Sequence, residues 1–292
     1  MTARSIRQII PAQPTSDGAG VRLYRSLGSQ GGARLDPFLM LDEFGTENPD
    51  DYIAGFPSHP HRGFETVTYM LDGHMQHRDH LGNVGDLGPG GVQWMTAGRG
   101  VIHSEMPMQE EGRMRGFQLW VNLPAAEKMK PAHYRDIPAA EIPQLALPGG
   151  GRVKVIAGTA RVDGEAVEGA INRASAPLST DPLYLDVQLG AGEGFAHPLQ
   201  PGYNALVYVF EGTVTVQGGG RETTLDTRSA GVLDAAGDGL QLQAGPQGAR
   251  FLLLAGKPIG EPVVQYGPFV MNTREEIMQA MQDYQDGVFV AA

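Results

Sequence analysis

Two short motifs carry donors that could hold a metal ion: His59-Pro60-His61 and His103-Ser104-Glu105. Together they supply three imidazoles and one carboxylate. Neutral imidazole with carboxylate suits a borderline divalent cation such as iron, nickel, manganese or zinc. Side chains alternate faces along a strand. In an extended segment His59 and His61 point to one side, Glu65 shares their parity, and His103 shares parity with Glu105. Two such pairs on neighbouring strands would bring four donors around one point and leave positions open for substrate or dioxygen. The spacing alone equally allows solvated loop polars beside proline and glycine turns.

The elements that must position these donors read as strands. Short β-branched and aromatic runs at 64–71, 92–96, 116–123, 153–158, 183–189, 205–210, 213–217 and 251–255 alternate with Gly, Pro and Asp. Many short strands between turn signals predict an all-β sandwich or barrel. Asp72-Gly73 and Glu211-Gly212 each follow an apolar run and predict tight hairpin turns. The repeated pattern, Tyr69-Met-Leu-Asp-Gly73 and Tyr208-Val-Phe-Glu-Gly212, points to duplication of one β unit. A proline-rich stretch from 123 to 151 lies between the halves. The expected organisation is a metal-binding domain over 1–135, a linker over 136–150 and a second domain over 151–292. One helix is expected at about 273–286: Thr273 to Glu276 forms a capping box, Ile277, Met278, Met281 and Tyr284 form an apolar stripe against a barrel, and Gly287 closes it.

Composition narrows the function. A chain of 292 residues can bury a substantial core. It contains no cysteine, which excludes disulfides, thiolate metal sites and a cysteine nucleophile. The net charge of −11 and scattered basic residues argue against direct binding to a phosphate backbone. No run is long enough for a signal peptide or a membrane span. The expectation is a soluble cytoplasmic monomer.

Other residues have candidate roles. Phe56, Trp94 and Met95 would line a pocket for a flat ligand, with core packing the plainer role for Trp94 and Met95. Arg62 could sit in that pocket. Arg62 and Glu65 could orient the ligand histidines, or form an ordinary ion pair. His74, His77 and His80 read as surface histidines near a barrel rim. His197 is the one histidine of the second half and reads as structural. Gly88 to Gly91 and Gly98 to Gly100 lack the ending of a phosphate loop and read as bends.

The runs His59-Pro-His-Arg-Gly-Phe-Glu-Thr-Val-Thr-Tyr-Met-Leu71 and Gln93-Trp-Met-Thr-Ala-Gly-Arg-Gly-Val-Ile-His-Ser-Glu-Met-Pro107 resemble the pirin family of cupins. So do Leu119-Trp-Val-Asn-Leu-Pro124 and Gly267-Pro-Phe-Val-Met-Asn272. The likeness covers nearly the whole chain. It implies two stacked cupin (jelly-roll) barrels, with metal only in the first. It implies Fe(II) held by His59, His61, His103 and Glu105, with Ni, Mn, Cu, Co or Zn as alternatives. Where other cupins carry a motif histidine after Pro-x-Gly, Pro89-Gly90-Gly91 is followed by Trp94; His103 and Glu105 take over, as in pirins. The implied activity is a quercetin 2,3-dioxygenase acting on a small flat aromatic or enol substrate with O2, with Glu105 as general base. The alternative is an iron-dependent redox sensor that binds a regulatory partner protein.

Overall fold

A computed structural model describes residues 1–28 and 33–290. The all-β expectation holds, with one terminal α-helix. The chain divides into two compact units. One comprises Met1–Gln13, Leu35–Pro37 and Ala140–Pro258; the other comprises Pro14–Arg34, Phe38–Ala139 and Ile259–Ala292. The proline-rich stretch carries a short 3-10 turn at Ala139–Glu141 and a strand at Gln144–Ala146.

The unit containing the histidine motifs has two main antiparallel sheets and a two-stranded one formed by Val264–Tyr266 and Phe269–Met271. The larger one runs, in spatial order, through strands His133–Ile137, Val92–Thr96, Phe64–Asp72, Met114–Asn122, Phe38–Thr46, Val21–Leu27 and Gln13–Asp17. The smaller runs Phe56–His61, Val101–Pro107, Met75–Asp79 and Val84–Leu87. Phe64–Asp72 is buried on both faces for its first seven residues. Its run of β-branched and aromatic side chains therefore lacks the polar alternation of a half-exposed strand. Pro57 and Pro60 sit in Phe56–His61, an edge strand, where a missing N–H breaks no central ladder.

The other unit is built on a nine-stranded sheet. Val153 and Val155, Leu185 and Val187, Val207 and Val209, and Phe251 and Leu253 are i, i+2 pairs from four adjoining strands, and all are buried in one apolar cluster. Two sequence expectations change here. Glu211-Gly212 is not a hairpin turn: one strand runs unbroken from Asn204 to Gly218. Gly212 (φ +68°) instead lies between two register shifts and bends the strand. Asp72-Gly73 does turn the chain, but it carries it from the larger sheet to the smaller one and pairs no hairpin.

The helix spans Arg274–Gln285, with the reciprocal Thr273–Glu276 capping box present. Ile277, Ala280 and Met281 pack with Phe269, Met271 and Phe289. Met278, expected in the stripe, is 69% exposed. It lies one residue, about 100° of rotation, from Ile277 and so off the inward face.

Candidate metal centre

The strands Phe56–His61 and Val101–Pro107 pair antiparallel with His103 opposite His59 and Val101 opposite His61. Opposed residues share a face, so the three imidazoles point into one space. The register shifts between His103 and Glu105, leaving Glu105 opposite Phe56. The extra residue falls at Pro57-Ser58, where proline has no N–H to offer the ladder.

The ring atoms converge. His59 Nε2 lies 2.9 Å from His61 Nε2 and 3.0 Å from His103 Nε2. His59, His61 and His103 form a group whose ligand atoms all lie within 4.8 Å of one another. His59 Nδ1 is 2.7 Å from the Pro57 carbonyl. A carbonyl only accepts, so Nδ1 carries the proton and the Nε2 lone pair of His59 faces inward. Burial holds His61 and His103 well below the usual histidine pKa, reinforced by the neighbouring imidazoles; for His61 the Pro268 carbonyl acts in the opposite sense. His61 and His103 can each meet His59 Nε2 as an N–H donor or, with Nε2 unprotonated, turn a lone pair toward a cation shared with His59. Two nitrogens bound at about 2.1 Å and at right angles to each other stand about 3.0 Å apart. The donor set therefore fits a metal ion.

Glu105 is 4% exposed and faces the same interior, but it is outside the three-histidine group. Its Oε1 accepts from the Thr68 hydroxyl at 2.9 Å, and the Gln118 amide is 3.5 Å from Oε2. Thr68 and Gln118 come from the larger sheet, so the carboxylate is held from across the unit.

The turn that follows His61 is tightly held. Gly63 (φ +91°) turns the chain between the two sheets, and a Cβ there would meet the Val270 carbonyl at 2.0 Å. Lys128, 1% exposed, donates to the Gly63 and Val270 carbonyls and to Asn122 Oδ1 at 2.7, 3.0 and 2.7 Å. Three acceptors satisfy all three ammonium hydrogens. Burial nevertheless pulls its pKa down to about 8.

A cavity of about 610 Å³ opens onto the histidines, with His59, His61 and Glu105 in its wall. Phe56, Phe44, Met40, Leu23 and Trp120 supply its apolar lining. Trp120 stands edge-on to His61, 5.4 Å between centroids, and packs on Phe64 at 4.3 Å. A polar corner is formed by Arg25, which grips Asp42 at 2.8 and 2.7 Å and Asp17 at 2.7 Å.

Of the expected pocket residues, Phe56 lines this cavity, while Arg62, Trp94 and Met95 are absent from its wall. Arg62 is 4% exposed and turned to the C-terminal segment: it bonds Arg99 O, Asp283 Oδ2 (2.6 Å) and Phe289 O (3.2 Å), with its guanidinium 4.2 Å from the Phe289 ring. Its neighbour His61 points inward, so strand alternation sends Arg62 outward. Trp94 is buried and donates to Glu65 Oε2 at 3.1 Å, and Thr96 donates to Glu65 Oε1 at 2.6 Å. Glu65 thus serves Trp94 and Thr96. The turn at Arg62-Gly63 puts it on a different sheet from His59 and His61, so their shared parity has no meaning across it. Met95 packs with Ala97 and Val101 and borders a separate depression of about 410 Å³ beside His80 and Tyr134.

Trp120 and Gln118 also line the cavity, at positions the sequence did not single out. They are i, i+2 on Met114–Asn122 and are its half-buried positions in an otherwise buried strand. His77 departs from the expected surface position. His74 is exposed and His80 half-buried, but His77 is 2% exposed. The alternation Met75, His77 inward and Gln76, Arg78 outward was the available signal.

Comparison with known proteins agrees with this architecture. The Pirin family model matches residues 20–121 and the Pirin C-terminal cupin domain model matches 184–290. A Pseudomonas aeruginosa protein named "Putative quercetin 2,3-dioxygenase" is 57% identical over 98% of both chains. A pirin-like protein of Caulobacter vibrioides is 51% identical over 99% of this chain and all of its own. A crystal structure titled quercetin 2,3-dioxygenase, from Acinetobacter baumannii, superimposes with a TM-score of 0.88 at 35% identity, covering 99% of each chain. Both units are cupin domains, and the chain belongs to the pirin family.

Proposed function

We propose that this protein is a metal-dependent dioxygenase that opens the heterocycle of flavonols such as quercetin with O2 and releases carbon monoxide. The observation that carries the reading is three converging imidazoles, two of which, His59 and His61, wall a 610 Å³ cavity shared with Phe56, Phe44 and Trp120. A cavity of that size suits a ligand of a few fused or linked rings. Similarity to relatives bearing the quercetin 2,3-dioxygenase name supports the same choice.

In this reading His59, His61, His103 and Glu105 hold Fe(II). When bound, the cation supplies Lewis acidity toward the flavonol's adjacent hydroxyl and carbonyl oxygens and a one-electron partner for O2. The protein's own contributions follow from its geometry. Phe56 and Trp120 offer flat apolar surface that orients the rings. Glu105 takes the proton of the 3-hydroxyl onto a carboxylate oxygen, and Thr68 and Gln118 keep that carboxylate aimed. The apolar lining excludes water from the reacting ring, which disfavours plain hydrolysis.

The test is anaerobic loading with Fe(II), and in parallel with Ni, Mn, Cu, Co or Zn, followed by quercetin and air. Quercetin and O2 should fall together as carbon monoxide appears. A fully metallated protein that consumes neither would overturn the proposal.

A further inference from the structure

We propose that His77 is a positioning residue for the metal site: it accepts the Nδ1–H of His103 and so keeps the Nε2 lone pair of His103 pointed at the cation. The inference rests on the metal-binding reading above and names a residue outside the proposed ligand set.

Proton counting carries it. His103 Nε2 faces His59 Nε2 at 3.0 Å, and His103 Nδ1 faces His77 Nδ1 at 3.1 Å. A neutral imidazole has one N–H. With a cation among the three Nε2 atoms, the proton of His103 has only Nδ1 to occupy, and His77 Nδ1 is the acceptor it meets. His59 shows the same arrangement with a different acceptor, the Pro57 carbonyl. Ligating histidines generally donate their second N–H in this way, and the acceptor sets tautomer, ring angle and donor strength.

The placement of His77 is built into the sheet. Val101–Pro107 lies between Phe56–His61 and Met75–Asp79, with Glu105 opposite His77 on one side and His103 opposite His59 on the other. His77 and His103 therefore project from the same face of neighbouring strands. The rings stand 4.8 Å apart, and Tyr134 backs His77 at 5.0 Å.

The cost is equally specific. If His77 Nδ1 accepts, its proton sits on Nε2, and that atom is buried with no hydrogen-bond partner among the described residues. A buried donor left unpaired costs the metal-free fold stability. His77 thus costs the empty fold something and benefits the occupied site.

The test compares His77→Leu and His77→Asn with the unaltered chain. Asn can present its Oδ1 near the place of the imidazole Nδ1; Leu offers no acceptor. Co(II) serves as an optical probe and Fe(II) as the second metal, with affinity read by competition against a chromophoric chelator. His77→Leu should weaken both metals about 10- to 100-fold, alter the Co(II) ligand-field bands and raise the Fe(III)/Fe(II) midpoint potential. His77→Asn should recover most of the affinity and of the unaltered spectrum. The melting temperature of metal-free His77→Leu should not fall, because His103 is then free to place its proton on Nε2 and donate to His59. Equal affinity, bands and potential in all three proteins would overturn the inference. So would equal weakening by both variants together with a lower metal-free melting temperature, which would mark His77 as packing. Failure of the unaltered chain to bind either metal would instead remove the parent reading.

Discussion

The two cupin units answer the same packing problem with different interiors. In one, His59, His61, His103, His77 and Glu105 crowd an interior that opens onto a cavity. In the other, the strands around Val153, Val187, Val207 and Phe251 meet in an apolar cluster, and His197 is the single histidine. His197 is 2% exposed, and its Nε2 accepts the backbone N–H of Arg161 at 3.1 Å. That contact uses the lone pair a metal would need. A β framework thus becomes a candidate metal centre only where several imidazoles keep their lone pairs directed at one another. Two of the second nitrogens are tied elsewhere, to Pro57 O for His59 and to His77 for His103, while His61 Nδ1 is buried without a hydrogen-bond partner among the described residues. A solitary buried imidazole whose Nε2 is taken by a backbone N–H is a core residue.

The contrast can be broken most directly at the donors. His59→Ala should abolish stoichiometric metal binding and flavonol turnover, whereas His197→Ala should leave the metal content of the purified protein unchanged. Elemental analysis of both variants decides it, and equal metal content in the two would dissolve the distinction between the units. Glu105→Gln comes next: loss of the general base should lower kcat by about 10²- to 10⁴-fold. Single-turnover rates in the metal-saturated variant separate that effect from weaker metal retention.

On the side of the second unit, burial pulls the pKa of His197 down to about 4 from an ordinary 6.5. Between those values the unfolded chain binds more protons, so stability is fully present above pH 6.5 and falls as pH drops toward 4. The full loss is about 3 kcal/mol at about 1.4 kcal/mol per pH unit. Urea unfolding of the full chain at pH 7 and at pH 4.5 should show it, and His197→Leu should flatten the dependence. The smallest effect concerns the cavity wall. Trp120→Ala removes aromatic surface beside His61 and should raise KM for quercetin about 10-fold, the equivalent of about 1.4 kcal/mol of lost stacking. Metal content should not change. An unaltered KM would take Trp120 out of the substrate site.

Much of the site was legible because strand geometry has a period of two. His59 with His61, and His103 with Glu105, could be placed on common faces from spacing alone, and the structure pairs the two strands with His59 opposite His103. The terminal helix was legible for a similar reason, since a capping box is satisfied within four residues. Parity loses its meaning where the chain leaves one sheet for another. Glu65 follows the Gly63 turn and bonds Trp94 and Thr96. Arg62 anchors the C-terminal segment, 221 residues away in sequence at Asp283. Glu211-Gly212 has turn chemistry, yet the strand continues through it with a bend at Gly212.

The sequence by itself determined which side chains could serve as metal donors, that they would lie on strands, and that cysteine chemistry was excluded. These are properties of residue type and of contacts between near neighbours. Tertiary structure alone decided that Trp120 and Gln118 would face the histidines, that Trp94 and Met95 would not line the cavity, and that His77 would stand behind His103. Those outcomes depend on which strands become neighbours and in what register. Register is set by burial summed over whole sheets, and no local pattern of residues contains that sum.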